Sequence, residues 1–227
     1  MEEKMLSLTE ELFLLSLREK KDTVGLPYSA ALPYALAGAM LVELALAGMI
    51  RLNKEKRVVP IGELQPVDNP RLNDLLALIF EPGKPQKITH WIMVAAGKGK
   101  RLEKVMLAEL IAQGVLREEE KKVLWVIPYM EYSQKDASAK YQRKQHLRDI
   151  VLAGQIPDQQ AVALLSLMKA IDMLDHIFTL DEIKAAGKRV NEIVKDEAVG
   201  KAVIEILDTI SSAAVAAALS ATSILGL

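Results

Sequence analysis

A short segment near the middle of the chain carries the residues whose types and spacing suggest chemistry. It holds four bases and one acid within seven residues, namely Lys98, Lys100, Arg101, Lys104 and Glu103. Gly97 and Gly99 free their backbone N–H groups just before a helix that the sequence predicts from Arg101, and a helix N-terminus favours an anion. The segment therefore predicts a site for a phosphorylated head group.

Charge is unevenly distributed over the rest of the chain, although 29 Lys+Arg against 30 Asp+Glu give a net charge of −1. A second basic stretch, from Lys135 to Arg148, holds five bases and one acid, and the stretch from Asp172 to Asp208 holds nine acids and five bases. A basic face attracts an anionic bilayer by about 1 kcal/mol per Lys or Arg near the surface. The alternative interpretation is an ordinary solvated helix face, and the near-neutral total excludes a globally basic nucleic-acid protein.

The sequence contains no arrangement typical of an enzyme. Cysteine is absent, and Gly97–Lys100 lacks the spacing of a nucleotide-binding loop. The three histidines lie far apart: His90, His146 and His176. Asp172 and His176 stand four residues apart with Asp175 beside them and could bind a metal, but solvation or local hydrogen bonding is the simpler interpretation. We therefore predict no catalytic residues, no metal and no cofactor.

The composition predicts a mainly α-helical protein, and a length of 227 residues suits one large domain or two small ones. Hydrophobic residues make up 51% of the chain and aromatic residues only 4%, which favours helices packed on helices over a β-sandwich. The acidic N-terminal residues differ from a secretory signal. Two uncharged stretches, residues 24–42 and 211–227, are too interrupted or too weakly apolar to span a bilayer, and we interpret both as buried core helices.

Local signals place the elements along the chain. The capping box Ser7-Leu8-Thr9-Glu10 begins a first helix that ends near Glu19, and a loop follows from Lys20 to Pro33. A second helix runs from about Tyr34 to Ala47, with Gly48 as its C′ residue. Further helices are predicted at residues 72–80, 88–96, 101–113, 140–153, 158–173 and 181–195 and from 197 to near the end, and two hairpins at residues 49–61 and 115–127.

An internal repeat with a period of 66 residues links two of these regions. MLVELALAGMIRLNKEKRVVPI (Met40–Ile61) aligns without gaps on MLAELIAQGVLREEEKKVLWVI (Met106–Ile127). Each unit is predicted as an apolar helix, a glycine stop and a two-stranded wing around a charged turn. The repeat is either one packing solution used twice or a winged-helix nucleic-acid reader. Because the helix before the first wing is too apolar for a recognition helix, we predict no nucleic-acid partner.

Five segments resemble the Golgi phosphoprotein 3 family, in the same order and over nearly the whole chain. They are LSLTEELFLLSL (Leu6–Leu17), AMLVELALAGMIRL (Ala39–Leu52), DNPRLNDLLALI (Asp68–Ile79), LIAQGVLREEEKKVLWV (Leu110–Val126) and AVALLSLMKAIDMLDHIF (Ala161–Phe178). The resemblance implies a single, mostly α-helical domain with a protruding β-hairpin, and the two helix-wing repeats fit such a bundle with short hairpins. The chain begins directly at the first helix, without the basic extension of eukaryotic members, as expected of a prokaryotic-type or minimal relative.

The resemblance also implies a function. Family members are peripheral membrane proteins that bind phosphatidylinositol 4-phosphate, and eukaryotic members act at the Golgi as adaptors that retain glycosyltransferases. Client proteins would be further partners, and the hairpin at residues 117–132 would mediate self-association. The expected location is cytoplasmic and peripheral on a membrane, on the cytosolic face of the Golgi in a eukaryotic host.

The lipid pocket of the family can be followed residue by residue. Its tryptophan corresponds to Tyr28, an arginine of the second helix to Ala37, and two later arginines to Lys100 and Glu103. We therefore predict that a phosphatidylinositol 4-phosphate-like or other anionic phospholipid head group is bound by Tyr28, Lys98, Lys100 and Arg101. The apolar loop Val24–Leu32 is expected to dip into the membrane interface. The alternative function is a protein-interaction scaffold without lipid binding.

Overall fold

The computed structural model describes residues 6–20, 23–25, 31–97, 101–123, 127–134, 137–195, 205–209 and 212. Over these ranges the chain is mainly α-helical, with two small antiparallel sheets. The predicted fold class, a mainly α-helical bundle with short hairpins, is confirmed. A single domain over residues 1–227 stays a prediction.

The elements follow one another in an order close to the predicted one. They are α1 (Leu8–Ser16), β1 (Arg18–Lys20), β2 (Thr23–Gly25), α2 (Leu32–Leu46), β3 (Ile50–Leu52), β4 (Arg57–Pro60), α3 (Pro70–Phe80), β5 (Gln86–Lys87), α4 (Ile88–Ala96), α5 (Arg101–Ala112), β6 (Leu116–Val123), β7 (Ile127–Gln134), α6 (Ala137–Leu152), α7 (Gln159–Ala170), a 3-10 turn (Leu174–His176) and α8 (Leu180–Lys195). Residues 205–209 are helical as well. The strands form one sheet in the order β1-β2-β7-β6 and a second in the order β3-β4-β5.

The first helix begins at the predicted capping box. The Ser7 hydroxyl accepts a hydrogen bond from the Glu10 backbone N–H at 3.3 Å, and the Glu10 carboxylate accepts one from the Ser7 N–H at 2.8 Å. These bonds satisfy N–H groups that a helix start leaves without intrahelical partners. The helix ends at Ser16 rather than near Glu19, because Leu17 is extended and residues 18–20 form β1.

The segment predicted as a loop from Lys20 to Pro33 contains a strand. Val24 of β2 pairs with Glu19 of β1 on one side and with Tyr132 of β7 on the other. Of the predicted interfacial loop Val24–Leu32, the first two residues therefore belong to the sheet. Its last two residues are buried at the start of α2, and residues 26–30 lie outside the described part of the chain.

The second helix is the centre of the core. None of the fifteen residues of α2 is exposed and eleven are buried. It packs against α1 on one side and α4 on another. Because α2 presents no exposed face, it cannot enter a nucleic-acid groove, and the helix-wing unit that it begins is a packing device.

The structure bears differently on the two uncharged stretches that were interpreted as buried core helices. Residues 24–42 form a strand and the first part of buried α2, with residues 26–30 outside the description, so the prediction of one core helix holds only for their second half. The stretch 211–227 lies outside the described residues apart from Ser212. None of the helices in the described part of the chain has both the length and the hydropathy that a bilayer crossing requires.

The repeat is visible in the hydrogen bonds that end its two helices. After α2, the N–H of Gly48 donates to the Ala45 carbonyl at 3.1 Å and the next N–H donates to the Leu44 carbonyl at 2.9 Å. The equivalent bonds follow α5, 66 residues later. There the N–H of Gly114 donates to the Ile111 carbonyl and the N–H of Val115 donates to the Leu110 carbonyl, both at 2.9 Å. Both glycines have positive φ, +71° and +74°. A left-handed glycine in this bond pattern is a common helix end.

The wings of the two units differ, which corrects the predicted second hairpin. In the first unit Ile50 lies opposite Pro60, whereas in the second Leu116 lies opposite Gln134. The charged residues 117–122, predicted as the turn, are paired residues of β6. A strand at the edge of a sheet tolerates charged side chains, so a charged run does not by itself mark a turn. The two units of the repeat therefore have the same structure only from the helix to the first strand of each wing.

Candidate functional site

The four residues predicted to bind a head group fall mostly beyond the described part of the chain. Tyr28, Lys98 and Lys100 lie outside the described residues. Arg101 is described in its backbone alone, as the first residue of α5. That the four side chains come together stays a prediction.

The helix that precedes the basic residues is fully described. α4 buries Ile88, Trp91, Ile92 and Ala96 and packs on α2. Gly97 ends it with a φ of +62°, and its N–H donates to the Met93 carbonyl at 3.2 Å. This N–H is used inside the fold, which corrects the expectation that Gly97 offers it to an anion. Gly99, the other glycine of that expectation, lies outside the described residues.

The helix that follows Lys100 exposes Lys104, the one base of α5 whose side chain is described. α5 buries Leu102 and Met106, while Lys104 is exposed and Glu103 is half-buried. Residues 82–102 contain five bases and no Asp or Glu. The sequence on both sides of the junction between α4 and α5 is therefore rich in bases. The acid nearest to this junction in the sequence is Glu103, which is partly covered.

The second basic stretch does not form the outward face that its composition suggested. Lys140 is only 2% exposed, and its Nζ donates to the Leu17 carbonyl at 2.8 Å. Arg143 makes an ion pair of 2.8 Å with Glu11, and both side chains are mostly covered. Burial raises the pKa of Glu11, and Arg143 opposes this shift. These two bases of α6 stabilise its contact with α1.

A third base of the same helix is also used inside the fold. The guanidinium of Arg148 donates to both carboxylate oxygens of Glu182 at 2.8 Å and to the Ile177 carbonyl at 2.9 Å. The hydrogen bonds from Arg148 lower the pKa of Glu182 to about 2, helped by the backbone N–H of Thr179. Bidentate pairs of this kind are geometrically specific. Arg148 therefore ties α6 to α8.

The position that the resemblance assigns to a head-group arginine in α2 is buried. Ala37 has no accessible surface, and the only charged residue of α2 is Glu43. This helix thus supplies no cation to a head group. Any cationic contact must come from other parts of the chain, among which the residues between α4 and α5 are the most basic.

Of the three candidate metal ligands, His176 has a structural role. The Nδ1 of His176 lies 3.0 Å from the Leu15 carbonyl, and because a carbonyl only accepts, the proton resides on Nδ1. Asp172 and Asp175 are exposed. Within the described residues, no three His, Asp or Glu side chains are grouped as metal binding would require.

A groove of about 570 Å³ opens where the first turns of α1 and α3 meet the last turns of α2 and α5. Three glutamates line it, and each has a partner within the chain. Glu10 belongs to the capping box, Glu43 accepts from the Thr9 N–H at 2.7 Å and from the Thr9 hydroxyl at 2.5 Å, and Glu109 pairs with Arg71. The glutamates of this groove therefore stabilise the junction of the helices.

Two of these glutamates, Glu43 and Glu109, were not predicted from the sequence, although a signal for them was present. Glu43 and Glu109 occupy the same position of the 66-residue repeat, each in a largely apolar helix. Burial raises the pKa of Glu43, and the hydrogen bonds from Thr9 oppose this shift. An acid that recurs among apolar residues indicates a buried, hydrogen-bonded carboxylate.

Comparison with known proteins adds a family to this geometry. The family model described as Golgi phosphoprotein 3 (GPP34) matches residues 8–210, which is most of the chain. No curated protein sequence shows a significant match.

Proposed function

Because the chain belongs to the Golgi phosphoprotein 3 family, we propose that it is a peripheral membrane adaptor that binds anionic phospholipid head groups, phosphatidylinositol 4-phosphate or a similar one. The contact runs through residues 98–104, which we call the basic segment. The family is a non-enzymatic adaptor family, so binding is the activity to measure. In a eukaryotic host the membrane is the cytosolic face of the Golgi.

One contrast supports this assignment. Lys140, Arg143 and Arg148 of the other basic stretch have partners within the fold. Residues 82–102, by contrast, contain five bases and no acid, and Lys104 beyond them is exposed. An anionic bilayer attracts such a local excess of positive charge. The basic segment includes the first turn of α5, and this position also suits phosphate oxygens, because the N-terminus of a helix favours negative charge.

Charge reversal of the basic segment tests the proposal. The triple variant Lys98→Glu/Lys100→Glu/Arg101→Glu should bind vesicles with phosphatidylserine or phosphatidylinositol 4-phosphate at least about a hundredfold more weakly, at about 1 kcal/mol per base lost. The matched control reverses three exposed lysines of α8, Lys184, Lys188 and Lys195. The control should bind as the native chain does. Equal loss in both triple variants would mean that net charge, and not this segment, governs binding.

Vesicle composition distinguishes the head groups. Sedimentation is compared for neutral phosphatidylcholine vesicles, for vesicles with phosphatidylserine, and for vesicles with phosphatidylinositol 4-phosphate at the same total charge. Stronger binding to the inositide at equal charge supports a specific pocket, and equal binding supports a general anionic surface. Binding should weaken as salt is raised, because salt screens exposed charges. A native chain that binds none of these vesicles would instead favour a protein-interaction scaffold.

The adaptor role requires protein partners as well as lipid. The hairpin β6–β7 contains residues 117–132, and β6 is the outer strand of its sheet. An edge strand can pair with a second chain. We therefore include self-association through this hairpin in the proposal. Light scattering over a range of protein concentrations tests it, and a constant monomer mass would contradict it.

A further inference from the structure

The last turn of α4 is apolar on its outward side, where a solvated helix face is normally polar. The exposed residues of α4 are Thr89 and His90 in its first turn and Met93 and Val94 near its end. We call Met93 and Val94, which are 58% and 39% exposed, the outer face of α4. The opposite side of the helix is buried against the core. From residue 88 to 97 the chain has no Lys, Arg, Asp or Glu. The last turn of α4 thus offers two large apolar side chains to its surroundings.

Another helix of the same chain shows how an ordinary solvated face is built. α8 buries Ala186, Val190 and Ile193 and exposes Lys188 and Glu192. That pattern, an apolar stripe inside and charges outside, is the usual one for a surface helix. Since α4 keeps its apolar stripe inside and also carries methionine and valine outside, its outer face needs a different explanation.

Positive charge flanks this apolar face. Lys84 and Lys87 are exposed before α4, and the basic segment begins directly after Gly97. A helix of nine residues is about 14 Å long, so bases stand close to both of its ends. Lys87 shares a groove with Glu205 and Asp208. Its charge is therefore partly offset, and the C-terminal end of α4 is the more basic one.

We infer, on the premise of the proposed function, that α4 lies on the surface of an anionic bilayer with its outer face towards the lipid. Met93 and Val94 enter the boundary between head groups and acyl chains, and the bases that follow Gly97 in the sequence meet the phosphates. A short helix with an apolar side and lysines at its ends suits this interface, because long basic side chains reach the phosphates while the apolar side is buried. A bilayer fits better than a protein because residues 82–102, which include α4 and the chain on both sides of it, hold five bases and no Asp or Glu.

Polar substitution of the outer face provides the first test. Met93→Gln/Val94→Thr keeps the size of both side chains. It should weaken binding to phosphatidylserine vesicles about tenfold, because less apolar surface is then transferred from water to the lipid. The salt dependence should stay as in the native chain, because the bases are intact. The matched control is Ile156→Thr/Leu180→Gln, which changes two apolar residues that are 93% and 86% exposed elsewhere. The control should bind as the native chain does.

A fluorescent label provides the second test, because the chain has no cysteine. An environment-sensitive dye on Met93→Cys should shift to the blue when phosphatidylserine vesicles are added, and the same dye on Ile156→Cys should not. If the native chain binds vesicles but neither the dye nor the polar variant responds, the role of α4 is wrong and the proposed function stands. If the native chain binds no vesicle, both are wrong. A blue shift that depends on protein concentration without vesicles would instead assign the face to a second copy of the chain.

Discussion

The Nζ of Lys140, near the start of α6, donates a hydrogen bond of 2.8 Å to the backbone carbonyl of Leu17, 123 residues earlier in the chain. Both residues are buried, with 2% and 1% of their surface exposed. Leu17 lies where α1 ends and β1 begins, so the lysine holds this junction against α6. A base that the local charge assigns to an outward surface is thus a structural residue.

Replacement of this lysine should cost stability without affecting lipid binding. Lys140→Met keeps an unbranched side chain and removes the donor, which leaves the Leu17 carbonyl buried without this bond. We expect the free energy of unfolding in urea to fall by about 1–3 kcal/mol. Lys184→Met on the exposed side of α8 is the control and should change it by less than about 0.5 kcal/mol. A Lys140→Met protein as stable as the native chain would show that the bond contributes nothing.

The pair Arg148–Glu182 should give the protein a stability that disappears in acid. Folding lowers the pKa of Glu182 from its ordinary value of 4.5 to about 2, because its carboxylate accepts hydrogen bonds from Arg148. An acid whose pKa is lowered by folding stabilises the fold above about pH 4.5, and this contribution is lost as the pH falls from 4.5 to 2. We expect Glu182→Gln to flatten the fall in stability over that window, measured by urea unfolding at several pH values.

The partner residue provides the control for this pH effect. Arg148→Met removes the hydrogen bonds that are the largest cause of the lowered pKa of Glu182. This variant should therefore also show a smaller fall in stability between pH 4.5 and pH 2. The double variant should resemble either single variant, because both changes remove one interaction. Additive changes in the double variant would mean that the two residues act on stability separately.

The two equivalent glutamates of the repeat should respond in opposite directions to the same substitution. Burial raises the pKa of Glu43, so the folded chain holds the proton more tightly than the unfolded chain. Its contribution to stability therefore falls as the pH rises above 4.5. Glu43→Gln keeps an oxygen for the N–H and hydroxyl of Thr9 and removes the buried charge. We expect this variant to be at least as stable as the native chain at pH 7.

Glu109→Gln, in contrast, should destabilise the fold. The side chain of Arg71 is only 16% exposed, its Nε is buried without a partner, and Glu109 is the acid that pairs with it. Removing that acid leaves a mostly covered guanidinium without its ion-pair partner. We expect a loss of about 1–2 kcal/mol in urea unfolding, less than for a fully buried pair because Glu109 is 34% exposed. Equal losses in both variants would contradict the different roles assigned to the two positions.

Elements with local signals could be predicted from the sequence. The capping box at Ser7, the glycine stops at Gly48 and Gly114, and the helix at residues 88–96 depend on interactions within a few residues, and the structure confirms them. The family resemblance depends on segments spread over the chain, and the match over residues 8–210 confirms it.

Properties that depend on distant contacts could not be predicted in this way. Local charge counts Lys140 and Arg148 as outward bases, but their partners Leu17 and Glu182 lie in other elements. The charged run of β6 was predicted as a turn because only its pairing with β7 shows that it is a strand. The outer face of α4 was missed for the opposite reason, since a short apolar helix gives no sign of which side the core covers.

The glycine stops lead to a last prediction that isolates backbone conformation. Gly48 has a φ of +71°, and a Cβ placed there would meet no atom within 4 Å. Gly48→Ala should therefore lower the free energy of unfolding by about 1 kcal/mol through the left-handed conformation alone, because nothing else obstructs the methyl group. Gly187 is the matched control: it lies inside α8, and its Cβ would also meet no atom within 4 Å. Gly187→Ala should raise the free energy of unfolding by about 0.5–1 kcal/mol, because alanine favours a helix interior. Urea unfolding of both variants gives opposite signs if conformation decides the outcome, and the same sign would show that it does not.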